Sequence, residues 1–221
     1  MKGLYAIIDT KLLATRKTDP VAFARALLEA RPAALQLRAK DMPAREMLAL
    51  LRALGPMCRA AGVPLVANDR ADLAVLAGCK MVHIGQEDLS YELVRRIAPG
   101  LAIGVSTHNL EQLHRALSVQ PSYVAFGPVF ETATKIQADP VVGVDGLRVA
   151  SEIARAAGIP LVAVGGITLA RAKKLSNLAD AFAVIADLFP PGAGLSDVTE
   201  RATQFQRALG AVARGAEARP W

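Results

Sequence analysis

The chain has 221 residues, 52% of them apolar and 21% charged, so it can bury one large core, and only its last few residues carry the low-hydrophobicity signature of disorder. Its formal charge of +6, from 26 Lys and Arg against 20 Asp and Glu, is spread over helix-like segments (Arg25, Arg45, Arg52, Arg95, Arg96, Arg115, Arg155, Arg171), which reads as solvated helix faces and argues against a nucleic-acid partner, while leaving room for a small phosphorylated ligand. The apolar stretch in "MKGLYAIID" is too short for a signal peptide, and no run approaches the roughly 18 apolar residues of a membrane span, so the expectation is a soluble, cytoplasmic protein with no membrane partner.

In chain order, eight short apolar runs alternate with longer stretches of helical spacing. The runs are "LYAII" (4–8), "ALQL" (34–37), "VPLVA" (63–67), "MVHI" (81–84), "LAIGV" (101–105), "YVAF" (123–126), "IPLVAV" (159–164) and "AFAVI" (181–185). Between them lie helical segments such as "PVAFARALLEA", "PAREMLALLRALGPMCRAA" and "NLEQLHRALSV", with Pro near helix starts and Gly near their ends. Cys58 and Cys79 have no metal-ligand spacing and read as free thiols. Strands apolar along their whole length suit a parallel sheet buried on both faces, and right-handed crossovers let eight βα units close into a (β/α)8 TIM barrel. An open doubly wound sheet is the alternative, but no G-x-G-x-x-G follows the first run. One domain over 1–221 is expected, and whether 211–221 forms a flexible tail is left open.

In such a barrel the C-terminal ends of the strands share one face, where active sites sit. Those ends carry Asp9; Gln36, Arg38 and Lys40; Asn68 and Asp69; Gln86 and Asp88; Ser106 and His108; Thr132, Thr134 and Lys135; Gly165 and Gly166; and Ala186. Alternation along "QLRAK" sends Gln36, Arg38 and Lys40 the same way. Two cations beside two carboxylates form either a salt-bridge cluster or a site for Mg²⁺ arriving with a phosphate. The hydroxyls and cation of "GPVFETATK" can hold phosphate oxygens, though a capped loop looks the same. "AVGGIT" offers a backbone open to close approach, and "IADLF" leads from the eighth run into a short helix. On residues alone the reading stops at a phosphate-handling barrel enzyme.

The ordered set "QLRAK", "NDR", "HIGQEDL", "GVSTH", "GPVFETATK" and "VGGI", running from "LYAIID" to "AVIADLF", resembles the thiamine phosphate synthase (thiamine-phosphate pyrophosphorylase) family. The resemblance implies a (β/α)8 barrel that joins 4-amino-2-methyl-5-hydroxymethylpyrimidine diphosphate to 4-methyl-5-hydroxyethylthiazole phosphate, with Mg²⁺ as cofactor and pyrophosphate released. It implies Asp69 and Asp88 as metal ligands and Gln36, Arg38, Lys40, Asn68, Ser106 and Lys135 as the pyrimidine diphosphate site. Arg38, Lys40 and Lys135 would be catalytic. Thr132, Thr134, Gly166, Ile185 and Ala186 would take the thiazole phosphate. No histidine is needed as a base: His83 reads as a strand residue with a local hydrogen bond and His114 as a helix-surface residue. The chain departs from the family at Ala186, where a Ser is usual, and in the spacing of "KIQADPVVGVDG". The competing readings are a thiazole tautomerase-like paralogue using His108 as acid and base, and a non-catalytic barrel that binds a phosphorylated metabolite.

Overall fold

The computed structural model describes residues 1–132 and 139–210. Eight strands, β1 (Gly3–Asp9), β2 (Ala34–Arg38), β3 (Leu65–Asn68), β4 (Met81–Ile84), β5 (Ala102–Thr107), β6 (Tyr123–Phe126), β7 (Leu161–Ala163) and β8 (Ala181–Val184), pair in sequence order into a closed barrel. Every pairing is parallel, and β1 closes on β8 through Gly3–Ala181 to Ala6–Val184. Each of the eight expected runs became a strand, those at 81–84 and 123–126 with the same bounds and the others with ends that differ by a residue or two. This is the (β/α)8 architecture, and the open sheet is excluded by the β1–β8 pairing.

Helices follow the strands: α1 (Thr10–Thr15), α2 (Pro20–Glu29), α3 (Ala44–Ala61), α4 (Ala71–Ala77), α5 (Tyr91–Ile97), α6 (Leu110–Ser118), α7 (Gly143–Ala156), α8 (Leu169–Leu175) and α9 (Leu195–Ala208). Five of them start where a side chain accepts from an otherwise orphaned amide: Asp9 for α1, Asp19 for α2, Ser90 for α5, Asn109 for α6 and Thr168 for α8. The short helix expected after β8 is one 3₁₀ turn, Ala186–Leu188. Among the described residues no helix is long and apolar enough to cross a membrane. Both cysteines are free and buried.

Strand alternation divides the apolar residues into two cores. Outward-facing residues such as Leu4, Ile8, Leu35, Leu37, Val82, Phe126 and Phe182 pack against the helices. Inward-facing Tyr5, Ile7, Ala34, Val66, Met81, Tyr123, Ala125, Val162, Ala181 and Ala183 fill the barrel. Gly104 shows how tightly: a Cβ there would stand 2.0 Å from the Tyr123 ring, so the absent side chain is what admits the tyrosine. Gln206 of α9 closes the N-terminal end, accepting from the Leu4 amide at 2.8 Å and donating to the Arg31 carbonyl at 2.5 Å.

Candidate active site

Above the inner core a cavity of about 750 Å³ opens at the C-terminal ends of the strands. Gln36, Arg38, Lys40, Asn68, Asp69, Asp88, Ser106, Thr132, Gly166, Ile185 and Ala186 all line it, together with His108 and Gln86. The structure therefore brings to one volume every expected site residue that it describes. Thr134 and Lys135 lie outside the described residues. Asp9 stands beneath the wall and not on it: it is 3% exposed and binds Arg38 at 2.5 Å while capping α1.

The two cations of "QLRAK" are each tied to a carboxylate. Arg38 is held by Asp9, and the Lys40 ammonium lies 3.2 Å from Asp69. Asp69 has φ +63°, a left-handed conformation that a short polar side chain tolerates, and its amide donates to the His83 carbonyl at 2.8 Å. Asp88, after β4, accepts from the Gly85 amide at 2.7 Å. The two aspartates meet. Burial, then a hydrogen bond to Asp88 and repulsion from its charge, push the Asp69 carboxyl up to about 6, with Lys40 pulling the other way.

Two adjacent carboxylates that resist joint ionisation are a donor set suited to a small divalent cation. No group of three or more His, Cys, Asp or Glu among the described residues forms a closed metal cage. The pair therefore fits a hard cation that keeps waters and takes further oxygens from a substrate phosphate, as Mg²⁺ does.

The cavity floor is a directional hydrogen-bond chain that strand patterning alone does not reveal. Tyr5 donates its one hydroxyl proton to Gln36 Oε1 at 2.6 Å, so in its 2.8 Å contact with Tyr123 it accepts. Tyr123 is then the donor there, and His83 Nδ1, 2.9 Å from the Tyr123 oxygen, carries the ring hydrogen. Burial holds His83 down at about 4, so the ring is neutral and its bare Nε2 accepts from Ser106 Oγ at 2.7 Å. At the far end Gln36 Nε2 donates to Asn68 Oδ1 at 2.6 Å. The chain runs Ser106, His83, Tyr123, Tyr5, Gln36, Asn68, and it crosses six strands. Burial also raises both tyrosine hydroxyls, Tyr5 strongly, so they remain protonated.

On the opposite side, Gly166 has φ +61°, and a Cβ there would stand 2.5 Å from the Glu131 carbonyl oxygen. The close approach expected at "AVGGIT" is thus to the loop after β6, and it leaves the glycine backbone facing the cavity. Arg171 of α8 donates to the Gly166 carbonyl at 2.6 Å and covers Phe130. His108 Nδ1 bonds the Gly127 carbonyl at 2.6 Å. His83 lies in β4 with hydrogen bonds on both nitrogens, and His114 is exposed on α6, as expected. Sequence reading missed Tyr5, Tyr123, Arg16 and Arg171. The first two sit in apolar runs and look like core, and the arginines look like helix-surface charges.

The family described as thiamine monophosphate synthase matches residues 4–188. This chain belongs to that family. Among its relatives in the thiamine monophosphate synthase family, the thiamine-phosphate synthase of Koribacter versatilis is 42% identical over 214 residues, covering 93% of this chain and 95% of the relative. That of Anaeromyxobacter dehalogenans is 37% identical over 217 residues, 97% and 91% of the two chains. The thiamine phosphate pyrophosphorylase of Pyrococcus furiosus superposes with a TM-score of 0.81 at 30% identity, over 95% of this chain and 96% of that one.

Proposed function

We propose that this member of the family is a thiamine-phosphate synthase in the full sense of its relatives' names, joining the pyrimidine diphosphate to the thiazole phosphate with release of pyrophosphate. The observation that carries the reading is the single cavity. It sets Arg38, Lys40, Asn68, Ser106 and the Asp69–Asp88 pair on its β2–β5 side, and Thr132, Gly166, Ile185 and Ala186 on its β6–β8 side. Two anionic substrates thereby have separate walls, with the inner core of Ile7, Ala125, Val162 and Ala183 between them.

The bond that breaks joins the pyrimidine methylene carbon to a diphosphate oxygen, and its electrons leave with pyrophosphate. The bond that forms joins the same carbon to the thiazole nitrogen, which supplies its own lone pair. No proton need move in the step, so no general base is required. Arg38 and Lys40, with Lys135, hold the departing oxygens and lower the cost of the growing charge. Asn68 and Ser106 orient the diphosphate, and Gln36 orients the pyrimidine from the end of the floor network. Asp69 and Asp88 would hold Mg²⁺, whose contribution when bound is Lewis-acid neutralisation of the diphosphate. Thr132, Thr134, Gly166, Ile185 and Ala186 would seat the thiazole phosphate, and the apolar walls keep water from the electron-poor carbon. The cavity's chemistry implies small phosphorylated partners, and free thiols suit the reducing cytoplasm.

The test mixes the protein with both phosphorylated substrates and Mg²⁺ and follows pyrophosphate together with thiamine phosphate. Equimolar appearance of both is expected, with Arg38→Ala slowing a single turnover by about a hundredfold. Binding of both substrates without product would instead favour a silent sensor. His108 offers a second reading: its Nε2 has no partner among the described residues and it lines the cavity, the arrangement a thiazole tautomerase would use. His108→Asn should leave pyrophosphate release nearly intact; abolition of isomerase activity without any synthase activity would transfer the assignment.

A further inference from the structure

Among the described residues three guanidinium groups line the cavity, and two are occupied. Arg38 is bound by Asp9, and Arg171 donates to the Gly166 carbonyl. Arg16, immediately after α1, is different. Its Nη1 is buried and has no hydrogen-bond partner, the one such side-chain atom among the described residues. The two carboxylates on the segments flanking it are already engaged: Asp9 by Arg38 and the Leu12 amide, Asp187 by Arg201 at 2.9 Å and by the Leu169 amide. Beneath the guanidinium, at 4.8 Å, lies the ring of Phe189, itself braced by Phe23 at 5.1 Å. The aromatic face braces the guanidinium and leaves Nη1 unspent. Phe189 ends the 3₁₀ turn that begins at Ala186, so Arg16 meets the cavity beside the segment that follows β8.

A buried cationic donor with no partner is unfavourable in the empty protein and becomes favourable when an anion arrives to take it. We infer that Arg16 is a ligand for the phosphate group of the thiazole substrate and sets the preference for the phosphorylated thiazole over its free alcohol. The inference rests on the placement of that substrate against the β6–β8 side.

Arg16→Met keeps the stem over Phe189 and removes the fork; Arg16→Lys keeps the charge alone. With pyrimidine diphosphate saturating, Arg16→Met should raise KM for thiazole phosphate by about ten- to a hundredfold, with Arg16→Lys between it and the wild type. The wild-type preference for thiazole phosphate over the alcohol should shrink by the same factor, while KM for the pyrimidine diphosphate changes by less than about twofold. The melting temperature of ligand-free Arg16→Met should match or exceed that of the wild type, because an unmade buried bond has been removed; a merely structural arginine would give the reverse pattern. An unchanged KM for thiazole phosphate, or both KM values rising together, overturns the inference. Should the wild type make no thiamine phosphate, the proposed reaction fails by itself, and calorimetric titration with thiazole phosphate decides the role of Arg16: binding to the wild type that Arg16→Met loses upholds it, and equal binding or none refutes it.

Discussion

His83 shows how one buried ring fixes the donors and acceptors of a whole cavity floor. His83 points into the barrel at the floor of the cavity, where desolvation disfavours the imidazolium and depresses the group from 6.5 to about 4, partly opposed by the Asp88 charge. A depressed folded value means that the native state binds fewer protons than the unfolded chain below pH 6.5. The stabilising contribution is therefore full above that point and is lost as pH falls through about 4. Between pH 6.5 and 4 the wild type should lose stability more steeply than His83→Gln, whose amide can accept from Ser106 and donate to Tyr123 without charging. Denaturant titrations along that pH range check the slope, and nitrogen-15 shifts should show the hydrogen on Nδ1 at pH 7. A hydrogen on Nε2 would reverse the chain as derived and with it the orientation of Gln36.

The elements themselves were legible because each obeys a local rule. Runs such as "MVHI" and "YVAF" are short, apolar on both faces and flanked by polar breaks, and they became strands at those residues. Polar residues at strand ends were visible for the same reason, since a polar group ending an apolar run stands at the rim. What the runs conceal is which of their members face inward, because in a barrel both faces are buried and alternation carries no polarity signal. Tyr5 and Tyr123 were hidden in this way, and so was the reason for Gly104. That glycine couples two strands: with Tyr123 ring atoms 2.0 and 2.3 Å from an added Cβ, Gly104→Ala must push the ring or bend β5. The expected cost is about 1–3 kcal/mol of stability, as overpacking in a close-packed core commonly gives. Denaturant unfolding measures it, and Gly104→Ala combined with Tyr123→Leu should recover part of the loss. A neutral Gly104→Ala would mean that the inner core is looser than its packing implies.

On the scale of the whole molecule, the cavity draws on every strand of the barrel or the loop that follows it, so a ligand seated there stabilises the closed barrel and not one loop. The Asp69–Asp88 pair is where this coupling is most exposed. Asp69 is raised to about 6 by burial and by its neighbour, so its contribution to stability is complete below 3.8 and is lost as pH rises through about 6. At pH 8 the metal-free protein thus carries two mutually repelling carboxylates, a deficit that a bound cation would relieve. Inorganic pyrophosphate with Mg²⁺, each well above its dissociation constant, should raise the melting temperature at pH 8 by about 5–10 °C, the shift expected for a chain of this length from a ligand at about a hundred times its Kd. Mg²⁺ alone should give a smaller rise at pH 8 and almost none at pH 5, where Asp69 holds a proton. Asp69→Asn and Asp88→Asn should each abolish the response to Mg²⁺ while leaving the metal-free melting temperature at pH 8 the same or higher. Differential scanning calorimetry at the two pH values reads all of these. A full response to Mg²⁺ in both variants would remove the aspartates as its ligands, and a response equally large at pH 5 would show that the cation binds where no carboxylate has to give up a proton.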